Sequence, residues 1–123
     1  MMLDKDNAEI KFGLKQIILD KIINVFSSHP HIQQVILYGS RAKGNFRNGS
    51  DIDLTIRGEA VTLSQLLKIE NELDDLLLPY KIDLSLLHKM HDPDLIEHIR
   101  RVGIVIYDKL DCFDSTSNGT PVN

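Results

Sequence analysis

Cysteine is nearly absent from this chain. Cys112 stands alone among 123 residues, so no intramolecular disulfide can form. Its polar surroundings, DKLDCFDSTSN, give a catalytic thiol no setting. A basic excess is also missing: 14 Lys and Arg face 18 Asp and Glu, for a formal net charge of −4. That balance gives no support for binding nucleic acid or an anionic membrane, and neither is expected as a partner. No apolar run approaches the ~20 residues of a membrane span. The first stretch, MMLDKDNAEIKFG, begins polar and acidic. It lacks the charged start and apolar run of a signal peptide, so a cytoplasmic location is expected.

What remains is ordinary globular material, 42% hydrophobic and 26% charged, enough for one modest core. The reading is one domain over residues 1–110, followed by a polar, aperiodic and disordered tail over 111–123. From Lys11 to Phe26, apolar residues at Leu14, Ile17, Ile18, Ile22, Val25 and Phe26 predict one face of a helix. Gln34–Ser40 predicts a strand, and a turn-rich stretch follows to Gly49. Asp51–Arg57 alternates, with Ile52, Leu54 and Ile56 on one face and Asp51, Asp53, Thr55 and Arg57 on the other. A helix over 62–78 should bury Leu63, Leu66, Leu67, Leu73 and Leu77, and Pro79 should stop it. Lys81–Leu87 alternates again, with Asp83 and Ser85 opposite Ile82, Leu84 and Leu86. Asp92-Pro93-Asp94 caps a further helix that Gly103 ends, and Ile104–Tyr107 predicts a fourth strand.

The helix between the second and third strands is long enough for a right-handed crossover, which makes those strands parallel. If they are neighbours, Asp83 lies beside Asp51 and Asp53. Side chains two apart on a strand stand about 6.8 Å apart on one face, and the next strand is about 4.8 Å away. Three carboxylates so placed repel, and a hard divalent cation such as Mg²⁺ resolves the repulsion. Two such ions about 3.5–4 Å apart can serve a phosphoryl displacement.

The stretch before the acids fits that chemistry. Gly39 lets a phosphate approach the backbone, and Ser40 offers a hydroxyl and an N–H. Arg41 and Lys43 add charge, and a helical turn opening at Ser40 would add its positive end. Arg57 shares the acids' face and is a candidate to touch nucleotide or pair with an acid. Tyr38 has the parity of Ile36 and is read as packing at the strand end. Rival motifs fail on spacing. Gly44 is followed by Asn45-Phe46, not the Lys-Ser/Thr of a P-loop, and the glycines do not fit a dinucleotide fingerprint. A calcium loop from Asp51 would need Gly and an acid where Ile56 and Thr62 stand.

GSRAKGNFRNGSDID, Gly39 to Asp53, resembles the Gly-Ser-x₁₀-Asp-x-Asp signature of polymerase-β-like nucleotidyltransferases, and the short, helix-first layout is similar to their minimal members (MNT). The resemblance covers about Lys11 to Tyr107. It implies an α+β fold, with a mixed sheet of about four strands and helices packed on one face. It implies transfer of a nucleoside monophosphate, AMP from ATP, to a hydroxyl with release of pyrophosphate, using two Mg²⁺ ions. It carries metal binding and catalysis to Asp51, Asp53 and Asp83, and nucleotide binding to Gly39, Ser40, Arg41, Lys43 and Ser50. It also implies a helical HEPN-type partner in a hetero-oligomer, an RNase toxin modified on a tyrosine, with this chain as antitoxin. The alternatives are a binding module that neutralises its partner by occlusion, and the catalytic subunit of an aminoglycoside-type transferase.

Overall fold

The computed structural model describes residues 10–110; Cys112 and the expected tail lie outside the described residues. Two short strands, β1 (Ile10–Lys11) and β2 (Leu14–Lys15), pair as a hairpin that leads directly into α1 (Gln16–Ser27). Then come β3 (Gln34–Tyr38), α2 (Gly39–Lys43), β4 (Ile52–Arg57), α3 (Leu63–Asp74), β5 (Ile82–Leu86), a 3₁₀ turn at Leu87–Lys89, α4 (Pro93–Val102) and β6 (Ile104–Asp108). The four long strands form the expected mixed sheet, in the order β5-β4-β3-β6. β4 and β5 are parallel and joined by the α3 crossover, while β3 is antiparallel to both β4 and β6.

The hairpin corrects the first predicted helix. Phe12 and Gly13 both take positive φ, 58° and 79°, which is the two-residue turn that suits strand twist. Leu14 is therefore buried from a strand, not from a helical stripe. Within α1, Leu19, Ile22 and Phe26 are the buried positions, and Ile17 is largely exposed. They pack with Val35 and Leu37 of β3, Ile52, Leu54 and Ile56 of β4, and Ile69 and Leu73 of α3 in one core.

The α3 stripe also differs from expectation. Thr62 and Gln65 form a reciprocal cap, with Thr62 Oγ1 accepting from Gln65 N–H and Gln65 Oε1 accepting from Thr62 N–H. Ile69 and Leu73 then face the core, with Leu66 half-buried, while Leu63 and Leu67 flank the stripe and stay exposed. Leu77 lies beyond the end of α3 in the left-handed region (φ 56°), 87% exposed.

α1 and α3 cover the face of the sheet that bears the main core. α4 lies against the opposite face over β3. Asp92 caps it by accepting from the Asp94 and Leu95 N–H groups, and Ile99 is its buried anchor. Gly103 ends it in close contact with Ile36, where a Cβ would collide with Ile36 Cγ2 and the Ile99 carbonyl. Among the described residues no helix is long and apolar enough to cross a membrane.

A left-handed backbone costs an L-residue about 1–2 kcal/mol, and Leu77 buries almost nothing in return. Leu77→Gly is expected to raise stability by about 0.5–1 kcal/mol, after allowing for the greater unfolded-state freedom of glycine. Urea unfolding measures it, and a loss of stability would show that Leu77 makes an unrecognised contact.

Candidate active site

β4 carries its apolar residues toward the helices, so Asp53 and Thr55 face the other way. The parallel register sets Asp53 opposite Asp83 and Thr55 opposite Ser85. On the other side, Tyr38 of β3 is the Cα partner of Asp53. One row across three strands therefore reads Tyr38, Asp53, Asp83. Asp51 sits one residue before β4, exposed, as is Asp83, whereas Asp53 is half-buried. Burial raises the Asp53 carboxyl above its ordinary value, and the charges of Asp83 and then Asp51 add to the rise.

The chain leaves β3 through Gly39 at φ 75° and enters the single turn of α2. A Cβ on Gly39 would run into Asp53 Oδ2, so only glycine lets this turn lie against the carboxylate. Ser40 follows, and its carbonyl accepts from the Gly44 and Asn45 N–H groups, closing the turn.

The two basic residues of the turn have different fates. Lys43 ends α2 with an exposed side chain. Arg41 is corrected from a phosphate ligand to a buried structural residue, only 2% exposed. Its Nη1 donates to the Phe12 carbonyl at 2.9 Å, and its Nε and Nη2 donate to the Ser50 carbonyl at 3.2 and 2.9 Å. The Phe46 and Tyr80 ring centroids each lie 5.1 Å from its guanidinium carbon. Three of its five N–H groups are thus engaged within the protein. Ser50 is likewise engaged in closing the loop: its hydroxyl oxygen accepts from the Arg47 N–H at 2.9 Å, and its own N–H donates to the Arg47 carbonyl. Arg57 lies at the far end of β4 from Asp53 and donates to Gln34 Oε1, away from the acids.

Two residues of the site escape the sequence reading. Tyr38 shares the parity of Ile36 as expected, but that parity is the site face. Its side chain lies near Ser85 of β5, whose Oγ donates to Thr55 Oγ1 at 3.0 Å. Burial raises the Tyr38 hydroxyl above the usual phenol value; the neighbouring Ser85 hydroxyl opposes this, and Asp53 and Asp83 add to it. His98 of α4 packs edge-on to Tyr38, with centroids 6.2 Å apart at 78°, and its Nε2 accepts from the Gly39 N–H at 3.1 Å. The pairing of Tyr38 with Asp53 was available from the antiparallel return of β3 into β4. Nothing in the spacing ties His98 to Gly39.

On the β5 side, a groove of about 430 Å³ borders Asp83. Tyr38, Asp83 and Ser85 form its polar end, and Leu86, Met90 and Leu95 part of its apolar wall.

Among the described residues no three acids or histidines close into a ready-made metal cage. The donor set still fits a hard cation of the Mg²⁺ type, which takes one or two carboxylates and fills its shell with water and phosphate oxygens. A glycine-serine turn against an acid row on the open face of a mixed sheet defines a nucleotidyltransferase. The comparisons agree. The polymerase beta nucleotidyltransferase family profile matches residues 20–111, most of the chain, and the chain belongs to that family. No curated protein sequence matches significantly. Among solved structures, the fold is similar to a toxin–antitoxin protein crystallised with AMP-PNP (TM-score 0.60, 18% identity, covering 80% of this chain and 86% of that one). It is also similar to a chain of the Shewanella oneidensis complex of a tri-AMPylated HEPN toxin with its MNT antitoxin (TM-score 0.56, 19% identity, 81% and 77% covered). A third is a chain of the toxin–antitoxin pair MntA-HepT (TM-score 0.56, 17% identity, 84% and 87% covered).

Two outcomes test this geometry. Arg41→Lys, which loses the planar fork, is expected to cost about 2–4 kcal/mol in urea unfolding, because two buried carbonyls lose their donors. A neutral effect would mean that the loop closes without it. The Asp53 carboxyl behaves oppositely. Its folded-state pKa lies above the unfolded one, so its ionised form opposes folding. The penalty is absent below the ordinary carboxylate range and grows as pH rises through the folded value. Metal-free Asp53→Asn should therefore melt about 1–4 °C higher than the parent at neutral pH, and the gap should close on acidification. Scanning calorimetry in chelator reads both, and a lower melting temperature at neutral pH would count against crowding of the acids.

Proposed function

We propose that the chain is a Mg²⁺-dependent nucleotidyltransferase that moves AMP from ATP to a hydroxyl of a helical HEPN-type partner, acting as its antitoxin. The observation that carries this is the row Asp53–Asp83 with the Gly39–Ser40 turn packed against it. The AMP-PNP bound to one similar protein and the AMPylated toxin accompanying another support the choice of nucleotide and of partner.

In this reading Ser40 donates its hydroxyl and N–H to phosphate oxygens, Lys43 adds charge at the end of the turn, and the Ser50 hydroxyl proton is available to the same phosphates. Asp51, Asp53 and Asp83 hold the cations. When bound, Mg²⁺ neutralises phosphate charge and stabilises the entering and leaving oxygens. The acceptor oxygen attacks the α-phosphorus from the β5 side, where Asp83 receives the hydroxyl proton. The bond from the α-phosphorus to its bridging oxygen breaks, and pyrophosphate leaves on the Gly39–Ser40 side.

The groove beside Asp83 bears on the acceptor. Its walls are largely leucine and methionine, and Lys89 stands among them. That lining suits a hydroxyl on an uncharged apolar body, such as a tyrosine ring. It does not suit a polycationic aminoglycoside, which would meet a lysine and few acceptors.

Incubation of the complex with Mg-ATP is expected to add AMP to the partner, read by intact mass. Asp53→Asn should abolish the addition, with at least a hundredfold loss of rate, while gel filtration still shows the complex. A partner that is inhibited yet unmodified would replace this reading with neutralisation by occlusion.

A further inference from the structure

One contact at the site comes from outside the Gly-Ser and Asp-x-Asp signature. The Gly39 N–H, at the head of the turn that faces the acids, already has an acceptor, and that acceptor is His98 Nε2 at 3.1 Å. We propose that His98 is a positioning residue for the nucleotide: its bond to the Gly39 amide, with its ring edge-on to Tyr38, fixes the turn so that Ser40 presents its N–H and hydroxyl to phosphate. The inference rests on the nucleotidyltransferase reading and adds to it a residue from a different part of the chain.

The physical need is local. Gly39 has the widest conformational freedom of any residue type, and here it adopts φ 75°. Rotation about its φ and ψ re-aims the next peptide unit, which carries the Ser40 N–H. Packing of Asp53 against the Gly39 Cα limits one side of that motion. An acceptor on the Gly39 amide limits the other.

His98 can be that acceptor because it is itself held. α4 is fixed at its start by the Asp92 cap, in its middle by buried Ile99, and at its end by Gly103 against Ile36. Tyr38, itself buried, supplies the ring against which the imidazole packs. A ring that accepts at Nε2 carries its proton on Nδ1, so the contact specifies one tautomer. It also divides the labour in the turn. The Gly39 amide is engaged within the protein, and the Ser40 groups are the ones offered to a ligand.

Two substitutions separate positioning from packing. His98→Phe keeps a ring beside Tyr38 and removes the acceptor. His98→Gln returns an acceptor oxygen near the position of Nε2. In the nucleotide-free protein, Gly39 amide hydrogen exchange should quicken about fivefold or more in His98→Phe and return to within twofold of the parent in His98→Gln. With Mg-ATP, the Kd from calorimetry and the KM should rise about 3–10-fold in His98→Phe, with kcat at saturation within about twofold, and His98→Gln should restore both. Unchanged Gly39 exchange in His98→Phe overturns the inference, as does an unchanged Kd, or an equal loss in the two variants with a shared fall in melting temperature. Failure of the parent protein to bind Mg-ATP would instead overturn the functional reading, while the exchange measurement would still decide whether His98 holds the turn.

Discussion

The buried guanidinium of Arg41 ties the β1–β2 turn to the loop that enters β4. It bonds to a carbonyl in the β1–β2 turn and to another just before β4, and it lies against aromatic rings from the loop and from the approach to β5. A charge this far from water needs acceptors, and the two carbonyls supply them for three of its N–H groups while the rings lie close to its guanidinium. The consequence reaches the site. With Ser50 held from below, the chain enters β4 at a fixed point, and Asp51 and Asp53 inherit their positions from it. Gly13 belongs to the same device, since a Cβ there would strike both Phe46 and Arg41.

Upon that support the sheet sets up a deliberate conflict. Hydrophobic burial on the α1–α3 side fixes strand register, because a one-residue slip would turn Ile52, Leu54 and Ile56 outward. The same register forces Asp53 and Asp83 to be direct neighbours on the other side. The core thus enforces a repulsion between neighbouring carboxylates. A cation is the natural relief. Stability is given up locally so that a charge-binding site is ready in advance, which is the usual relation between a fold and its reactive centre.

The parts of this arrangement legible in the sequence are those governed by periodicity and spacing. The alternation of 51–57 and 81–87 reveals both acid-bearing strands and their common parity, and the length of the intervening helix gives their parallel direction. What is not legible depends on partners distant along the chain. Arg41, placed between Ser40 and Ala42 in a glycine-rich turn, looks like a phosphate ligand; its burial requires Phe12, Phe46, Ser50 and Tyr80, which only the folded chain collects. The β1–β2 hairpin hides because Leu14 and Ile18 fit a helical spacing as well as they fit their true places. Leucine counting misplaces the α3 face for a related reason: Leu63 and Leu67 are one turn apart, but the core lies under Leu66, Ile69 and Leu73. His98 is 59 residues from Gly39, and no local pattern announces it.

The site is asymmetric about Asp53, and that asymmetry has chemical meaning. On the β3 side lie Gly39, Ser40 and His98, a turn whose backbone is tied down. On the β5 side lie Asp83, Ser85 and a groove with largely apolar walls. In-line displacement at phosphorus needs its leaving and entering groups on opposite sides of the reacting atom. A nucleotide anchored by its outer phosphates over the tied turn would direct its leaving group toward β3 and open its other side toward β5. In the proposed reading, the strand order β5-β4-β3 would line up acceptor groove, acids and phosphate-binding turn, and the antiparallel return of β3 into β4 brings the turn and the acids together. Asp53 stands between the halves, packed against Gly39 on one side and paired with Asp83 on the other, so both halves meet at its carboxylate.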